Sequence, residues 1–218
     1  MKKAALFLLL TTTIAASAQP SSCSSDGVPA PRALLERFIN ADCAQCWSSP
    51  QAPEAAAGTL AIDWVVPGSR MDNSQVTAWA TLDGHFRLEA LGKKDPLQSS
   101  SQFTRRTGDA VPKLRVVHGL PVNDYVGTSI ELPRGGGPWK AWLLLVETLP
   151  AGTQGSAVER NLVRNSFMAE WPAGNRKRYE LRPMRVVEGT NFERLKVVGW
   201  LEDKEGKIRA IVQGRCGK

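Results

Sequence analysis

The chain has 218 residues, 28 basic and 21 acidic side chains, and a formal net charge of +7. Its basic residues are spread along the chain, and aromatic residues do not interleave with the densest basic spots, Arg105–Arg106 and residues 176–178. This pattern is typical of the solvated surface of an exported protein and argues against a nucleic-acid interface. No apolar run reaches the length of about 20 residues that a membrane-spanning helix needs.

The first 18 residues have the features of a signal peptide. Lys2 and Lys3 precede a short apolar run at residues 4–10, and Ala16-Ser17-Ala18 has the small-residue pattern of a cleavage site. We therefore expect cleavage near Ala18 and a periplasmic or secreted product without an integral membrane span. The remaining part, about 200 residues, is long enough for one large domain or two small ones.

All four cysteines lie in the part predicted to be exported, where disulfides persist. Four cysteines allow three pairings. A local pair of Cys43 with Cys46 would leave Cys23 and Cys216, near the two ends of the mature chain, to form a structural disulfide. Closing so long a loop would stabilise the fold by about 4–5 kcal/mol in the chain-entropy model. Two unpaired thiols at positions 23 and 216 are the alternative.

The first regular elements follow a flexible lead-in at residues 19–31, which is rich in serine, proline and glycine. Residues 33–39 are predicted to form a strand, residues 44–57 a helix, and residues 59–66 a second, buried strand. This order predicts a β–α–β unit with two parallel strands.

The pair Cys43 and Cys46 follows the first predicted strand. At the start of a helix, unpaired N–H groups and the helix dipole would stabilise a thiolate, so Cys43 is predicted to attack disulfides and Cys46 to resolve the mixed disulfide. Asp42 places a negative charge beside Cys43, which should raise the pKa of that thiol. Asp63, within the second predicted strand, is a candidate buried proton acceptor for Cys46; a solvent-facing position at a sheet edge is the alternative.

The rest of the chain divides at residues 127–138, a seam rich in glycine and proline. Before it, residues 70–108 are predicted to form one or two helices, and residues 111–119 a strand with Pro112 at its start, where no ladder hydrogen bond is lost. After it, the pattern predicts mostly antiparallel strands at residues 140–147, 157–171, 177–187, 192–203 and 207–213.

The strand, the Cys-x-x-Cys pair, the helix, the next strand and the later Val111-Pro112 together resemble a thioredoxin-fold protein. The chain is more closely similar to a secreted bacterial thioredoxin-like family of unknown function that carries a C-terminal β region. The stretches that carry this similarity are residues 36–46, 91–119, 140–167 and 197–203.

The resemblance implies an α/β thioredoxin-like domain at residues 32–126, a linker at 127–138 and a β-rich region at 139–218. It also implies a cis bond between Val111 and Pro112, whose backbone would bind an extended substrate beside the sulfurs. Trp47, which follows the second cysteine instead of preceding the first, is predicted to line the same substrate groove.

These features predict a thiol–disulfide oxidoreductase that acts on protein or small thiol and disulfide substrates in the cell envelope. The direction of the reaction stays open, and the interpretation requires no cofactor and no metal ion. One alternative is a redox-inactive, thioredoxin-like binding module in which the Cys43–Cys46 disulfide is structural. Another is a copper- or zinc-binding protein in which His118 joins the two sulfurs of Cys43 and Cys46 as a ligand.

Overall fold

The strand content of the protein rules out the predicted α/β class. In the computed structural model, which describes residues 22–74, 76, 81–108 and 111–216, 49% of the chain is strand and 10% is helical. The architecture is two large sheets with two α-helices in the described residues, so the prediction of an α/β thioredoxin-like fold is wrong. The predicted signal peptide lies outside the described residues.

The elements run in the following order along the described chain. The strands are β1 Ser22–Ser24, β2 Ala33–Asn40, β3 Thr59–Val66, β4 Ser99–Arg105, β5 Arg115–Val122, β6 Tyr125–Leu132, β7 Trp139–Leu149, β8 Arg160–Trp171, β9 Arg178–Arg185, β10 Leu195–Glu202, β11 Ile208–Gln213 and β12 Arg215–Cys216. The α-helices are α1 Ala44–Ser48 and α2 Leu82–Ala90, and short 3₁₀ turns occupy Met71–Asn73 and Phe192–Arg194.

The larger sheet has seven strands in the order β11-β10-β7-β8-β3-β2-β4. Strands β2 and β3 pair in parallel, from Ala33 opposite Thr59 to Asn40 opposite Val66, which confirms the predicted parallel pair. Strand β3 also pairs in parallel with β8, and the other neighbours are antiparallel. The smaller sheet has the order β12-β1-β5-β6-β9 and is antiparallel throughout.

The helix predicted at residues 44–57 ends after a little more than one turn, at Ser48. Ser49 is extended, with φ −63° and ψ 127°, because a residue before proline is disfavoured in the helical region and Pro50 follows. The crossover between β2 and β3 is therefore mostly irregular. The predicted α/β class is wrong in part because the helix expected at residues 44–57 ends at Ser48.

The predicted boundary between the two halves runs through regular structure. The seam at residues 127–138 includes most of strand β6. The larger sheet takes β2, β3 and β4 from before this seam and β7, β8, β10 and β11 from after it. The β-rich tail is mostly antiparallel, as predicted, but its strands extend the sheet that carries the cysteine pair.

The larger sheet is covered by apolar side chains on both faces. One face packs on the smaller sheet, where Val116 and Ile130 meet Leu143 and Val197. Gly199 permits this close approach, because a Cβ at that position would lie 2.7 Å from Val116 Cγ1. The other face holds aromatic and aliphatic side chains together with helix α2; its members include Phe38, Ile62, Trp64, Leu88, Trp142, Val198 and Trp200.

Candidate functional site

The carboxyl end of strand β2 positions the Cys43–Cys46 pair. Asn40 begins the turn by accepting hydrogen bonds from the N–H of Asp42 (2.8 Å, to its side chain) and of Cys43 (2.9 Å, to its backbone). The carbonyl of Cys43 then accepts the N–H of Cys46 at 3.0 Å, which starts helix α1. The two sulfurs lie at disulfide-bonding distance, with the Cα atoms 5.3 Å apart.

The two cysteines differ in their access to solvent. Cys43 is only 6% exposed, whereas Cys46 is half-buried and lines an open cavity of about 350 Å³ that Cys43 does not line. The predicted roles, in which Cys43 attacks and Cys46 resolves, favour the opposite arrangement, with Cys43 the more exposed of the two. In this fold Cys46, and not Cys43, lines the cavity.

The cavity lies between the loop after β2 and the start of edge strand β4. Its lining includes Gln45, Cys46, Ser49 and Pro53 on one side, Gln98, Ser99, Ser100 and Ser101 on another, and Arg37 and Arg160. Asn40 holds the two sides together, because its backbone N–H donates to Gln98 O (2.8 Å) and its side-chain amide donates to Pro96 O (3.0 Å). Within the described residues, β4 pairs only with β2, so its outer edge is unpaired.

Two buried guanidinium groups make the inner wall of the cavity positive. Arg37 Nη2 lies 2.7 Å from Asp63 Oδ2, and Arg160 Nη1 lies 2.8 Å from Asp63 Oδ1. Burial lowers the pKa of Arg160, while the charge of Asp63 opposes this shift; an arginine stays cationic under such conditions. Two cations therefore share one carboxylate, and the cluster carries a net positive charge beside Cys46.

Asp63 is fully buried, but its oxygens are already occupied. Besides the two arginines, Asp63 Oδ2 accepts the backbone N–H of Asn161 at 2.9 Å. Arg160 extends the network by donating to the carbonyl of Trp47 at 2.7 Å and to that of Cys46 at 3.4 Å. Asp63 thus orients the guanidinium groups, and the geometry favours this positioning role over the predicted role of proton acceptor for Cys46.

Trp47 is part of the core instead of the wall of the cavity. It is 3% exposed, packs with Ile39, Val65 and Leu162, and donates its indole N–H to Gln154 O at 2.8 Å. The guanidinium carbon of Arg160 lies 4.7 Å from the centre of its ring. The ring of Trp47 therefore packs against the guanidinium group of Arg160, and Trp47 does not line the cavity beside Cys46.

Val111 and Pro112 lie elsewhere in the fold. They precede β5 of the smaller sheet and line another cavity, which they share with Trp139 and Arg209. The cis X–Pro bond in the described residues joins Gly137 to Pro138. The structure therefore does not bring Val111-Pro112 to the cavity that Cys46 lines.

Asp42 points toward a neighbouring loop. Its carboxylate accepts hydrogen bonds from Ser74 Oγ (2.5 Å), from Ser69 Oγ (2.9 Å) and from the N–H groups of Ser69 and Arg70. These bonds, above all that from Ser74, lower the pKa of Asp42. The ionised carboxylate anchors residues 69–74 to the turn that carries Cys43.

The second cysteine pair is a structural link between both ends of the described chain. Cys23 in β1 lies directly opposite Cys216 in β12, and the two sulfurs are at disulfide-bonding distance, which confirms the predicted pairing. His118 lies beside this pair, opposite Cys23 in β5. It is therefore not placed to join Cys43 and Cys46 as a metal ligand.

The sequence contains a signal for part of the site that does not depend on the cysteine motif. Arg37 is a charged residue inside an apolar strand, and a buried charge needs a partner. The parallel register places Arg37 directly opposite Asp63, the charged residue of the neighbouring strand. Arg160 and the serines of β4 carry no comparable signal, because only the tertiary fold brings them to the cavity.

Comparisons with known proteins do not identify the chain. No family model and no curated protein matches it. The chain is similar to a crystal structure of a protein from Agrobacterium tumefaciens, determined by a structural genomics consortium. The identity is 14% and the TM-score 0.48, over 86% of this chain and 94% of that one. Such a likeness carries no argument about fold or function. The comparisons do not test the resemblance to a secreted bacterial family, and the thioredoxin-like fold that this resemblance implies is wrong.

The described residues also bear on membrane association. None of the helices that the structure describes combines the length and the apolar character needed to cross a bilayer.

Proposed function

We propose that this protein carries out thiol–disulfide exchange through the Cys43–Cys46 disulfide, and that Cys46 is the sulfur that reacts with the substrate. The observation that carries the proposal is the difference in access, since Cys46 lines an open cavity and Cys43 is covered. Exchange requires the attacking thiolate to approach along the disulfide bond, so access decides which sulfur is attacked.

The reaction balances without a further oxidant or reductant. A substrate thiolate attacks Cys46 Sγ, a mixed disulfide forms between the substrate and Cys46, and Cys43 leaves as a thiolate. A second thiolate of the substrate then attacks the substrate sulfur that is bonded to Cys46, and Cys46 leaves as a thiolate. The substrate is oxidised to a disulfide and the protein is reduced to a dithiol; the reverse sequence reduces a substrate disulfide.

The charges of the cavity support this chemistry. The cluster of Arg37, Arg160 and Asp63 has a net positive charge, which attracts an incoming thiolate and favours the thiolate form of Cys46 once it is released. The unpaired edge of β4 supplies backbone groups to which an extended substrate can add as a strand. Because the predicted signal peptide would export the protein, the proposed substrates are thiols and disulfides of the cell envelope.

The test compares two single variants with the Cys23–Cys216 disulfide intact. Cys43→Ser leaves the accessible sulfur free, and we expect it to form a mixed disulfide with oxidised glutathione, visible by mass spectrometry. Cys46→Ser leaves the covered sulfur and should react far more slowly. Both variants should lose catalytic turnover in insulin reduction.

Two results would contradict the proposal. In one, the wild-type Cys43–Cys46 bond stays oxidised in dithiol buffers and neither variant forms a mixed disulfide. That result would make the bond structural, as in the redox-inactive binding module. In the other, the Cys46→Ser variant reacts faster than Cys43→Ser, which would restore Cys43 as the attacked sulfur.

A further inference from the structure

Three neighbouring strands of the smaller sheet place three metal-binding residues, two cysteines and a histidine, in one row. Cys23 in β1 has Cys216 of β12 directly opposite on one side and His118 of β5 directly opposite on the other. Residues at matched positions of adjacent strands project to the same face of a sheet. In β5 this face also carries Val116, which packs against the larger sheet. Cys23 and His118 are therefore buried, whereas Cys216, in the edge strand β12, is exposed.

The ligand atoms of this row are close together. The two sulfurs and a ring nitrogen of His118 all lie within 4.8 Å of one another. In a tetrahedral zinc site, sulfur ligands about 2.3 Å from the metal lie about 3.8 Å apart. Opening a disulfide bond of about 2 Å to that separation requires side-chain rotation and no rearrangement of the strands.

One nitrogen of His118 lacks a partner. The side chain is buried, with 5% exposure, and its Nδ1 lies 3.0 Å from the carbonyl oxygen of Gly119. Its Nε2 is buried and has no hydrogen-bond partner among the described residues. Metal-binding histidines typically donate one ring N–H to a carbonyl or carboxylate, which leaves the other nitrogen free for the metal.

The surroundings of the row leave room for a fourth ligand. A cavity of about 370 Å³ is lined by all three residues together with Phe192 and Leu195. Three protein ligands with one position open to water is the arrangement of a zinc site such as Cys₂His.

We propose that reduction of the Cys23–Cys216 disulfide creates a zinc site formed by Cys23, Cys216 and His118. A dithiol reductant supplies the two electrons and is itself oxidised to a disulfide. Binding of Zn²⁺ then displaces one proton from each thiol. The oxidised protein cannot bind the ion there, because both sulfurs are occupied by their mutual bond, so the site is available only in the reduced state.

The test uses the Cys43→Ser/Cys46→Ser double variant as the parent, because its only thiols are those of Cys23 and Cys216. The parent is reduced with a phosphine, its two thiols are counted with Ellman's reagent, and Co²⁺ is titrated in as a spectroscopic substitute for Zn²⁺. We expect one ion per chain, sulfur-to-cobalt charge-transfer bands, and the visible bands of tetrahedral Co²⁺. Zn²⁺ should displace the cobalt.

Histidine variants of the reduced parent test whether the metal ion binds at Cys23, Cys216 and His118. His118→Gln removes a ligand, so it should weaken the binding of Co²⁺ by at least the roughly 100-fold that loss of an outer-shell partner can cost. His85→Gln, which changes the chain's other histidine, should leave it unchanged. Equal affinity in His118→Gln and the parent would overturn the proposal. So would a reduced parent that shows no native circular dichroism with Co²⁺ present. Neither outcome bears on exchange at Cys46, because the parent lacks that pair.

Discussion

The two disulfides of this protein join the same atoms in very different surroundings. Cys43 and Cys46 are separated by three positions at the start of helix α1, and the half-buried Cys46 lines a cavity with two cationic side chains. Cys23 and Cys216 are separated by 193 positions and join two neighbouring strands. The first bond restrains little of the chain and lies beside a cavity. The second closes almost the whole fold and joins a buried cysteine, Cys23, to an exposed one, Cys216. The difference suggests exchange for the first and stabilisation for the second.

The largest effect should come from removing the long-range disulfide. In the chain-entropy model, loss of a loop closed over 193 positions lowers the free energy of unfolding by about 5 kcal/mol. The same model gives about 2 kcal/mol for the short loop between Cys43 and Cys46. Urea unfolding of Cys23→Ser/Cys216→Ser and Cys43→Ser/Cys46→Ser, without reductant, measures both. Equal losses would show that the two bonds do not differ as we describe.

The next largest effect concerns the anion behind Cys46. Asp63→Asn should lower the free energy of unfolding by about 3–5 kcal/mol, because it leaves the buried cations of Arg37 and Arg160 without a carboxylate. Asp26→Asn is the matched change near the other disulfide. Its carboxylate pairs with Arg115 at the surface, where both side chains are about half exposed, so the loss should stay below about 1 kcal/mol.

These two variants can be compared by thermal or denaturant unfolding. A loss for Asp63→Asn as small as that for Asp26→Asn would contradict the description of a buried ionic cluster at the candidate site.

The smallest effect is a difference in pH dependence. Burial lowers the pKa of His118 below its ordinary value of about 6.5, so between these two values the unfolded chain binds more protons than the folded one. Stability therefore falls as the pH drops below about 6.5, by at most about 1.4 kcal/mol per pH unit. Glu193 is the acidic residue that lines the same cavity as His118.

His118→Gln should remove this part of the pH dependence when unfolding is measured from pH 7 to pH 5. A variant whose stability curve stays parallel to that of the wild type would show that His118 does not titrate as expected.

Local patterns in the sequence predicted several strands but not their assembly. The parallel pair β2 and β3 was predictable because residues 33–39 and 59–66 are apolar runs bounded by turn residues. Strand β4 was missed because its sequence, Ser-Ser-Ser-Gln-Phe-Thr-Arg, is polar and mostly exposed. As an edge strand it needs only one partner, and its pairing with β2 depends on the fold.

The sequence predicted which cysteines of the candidate site are paired, but not which of them is accessible. The spacing of Cys43 and Cys46 predicted their disulfide, and elimination predicted that of Cys23 with Cys216. Which sulfur is accessible depends on β4 and on the loop after α1, which local sequence does not specify. The sequence could not show that His118 lies beside Cys23 and away from Cys43 and Cys46, because only the antiparallel register of β1 and β5 places it there.

The most direct test of the difference between Cys43 and Cys46 is the order in which their thiols react. The wild-type protein is treated briefly with a dithiol that reduces the Cys43–Cys46 bond, then alkylated for increasing times and mapped by mass spectrometry. We expect label on Cys46 first, on Cys43 only later, and none on Cys23 or Cys216. Labelling of Cys43 before Cys46, or of Cys216 before either, would contradict the account.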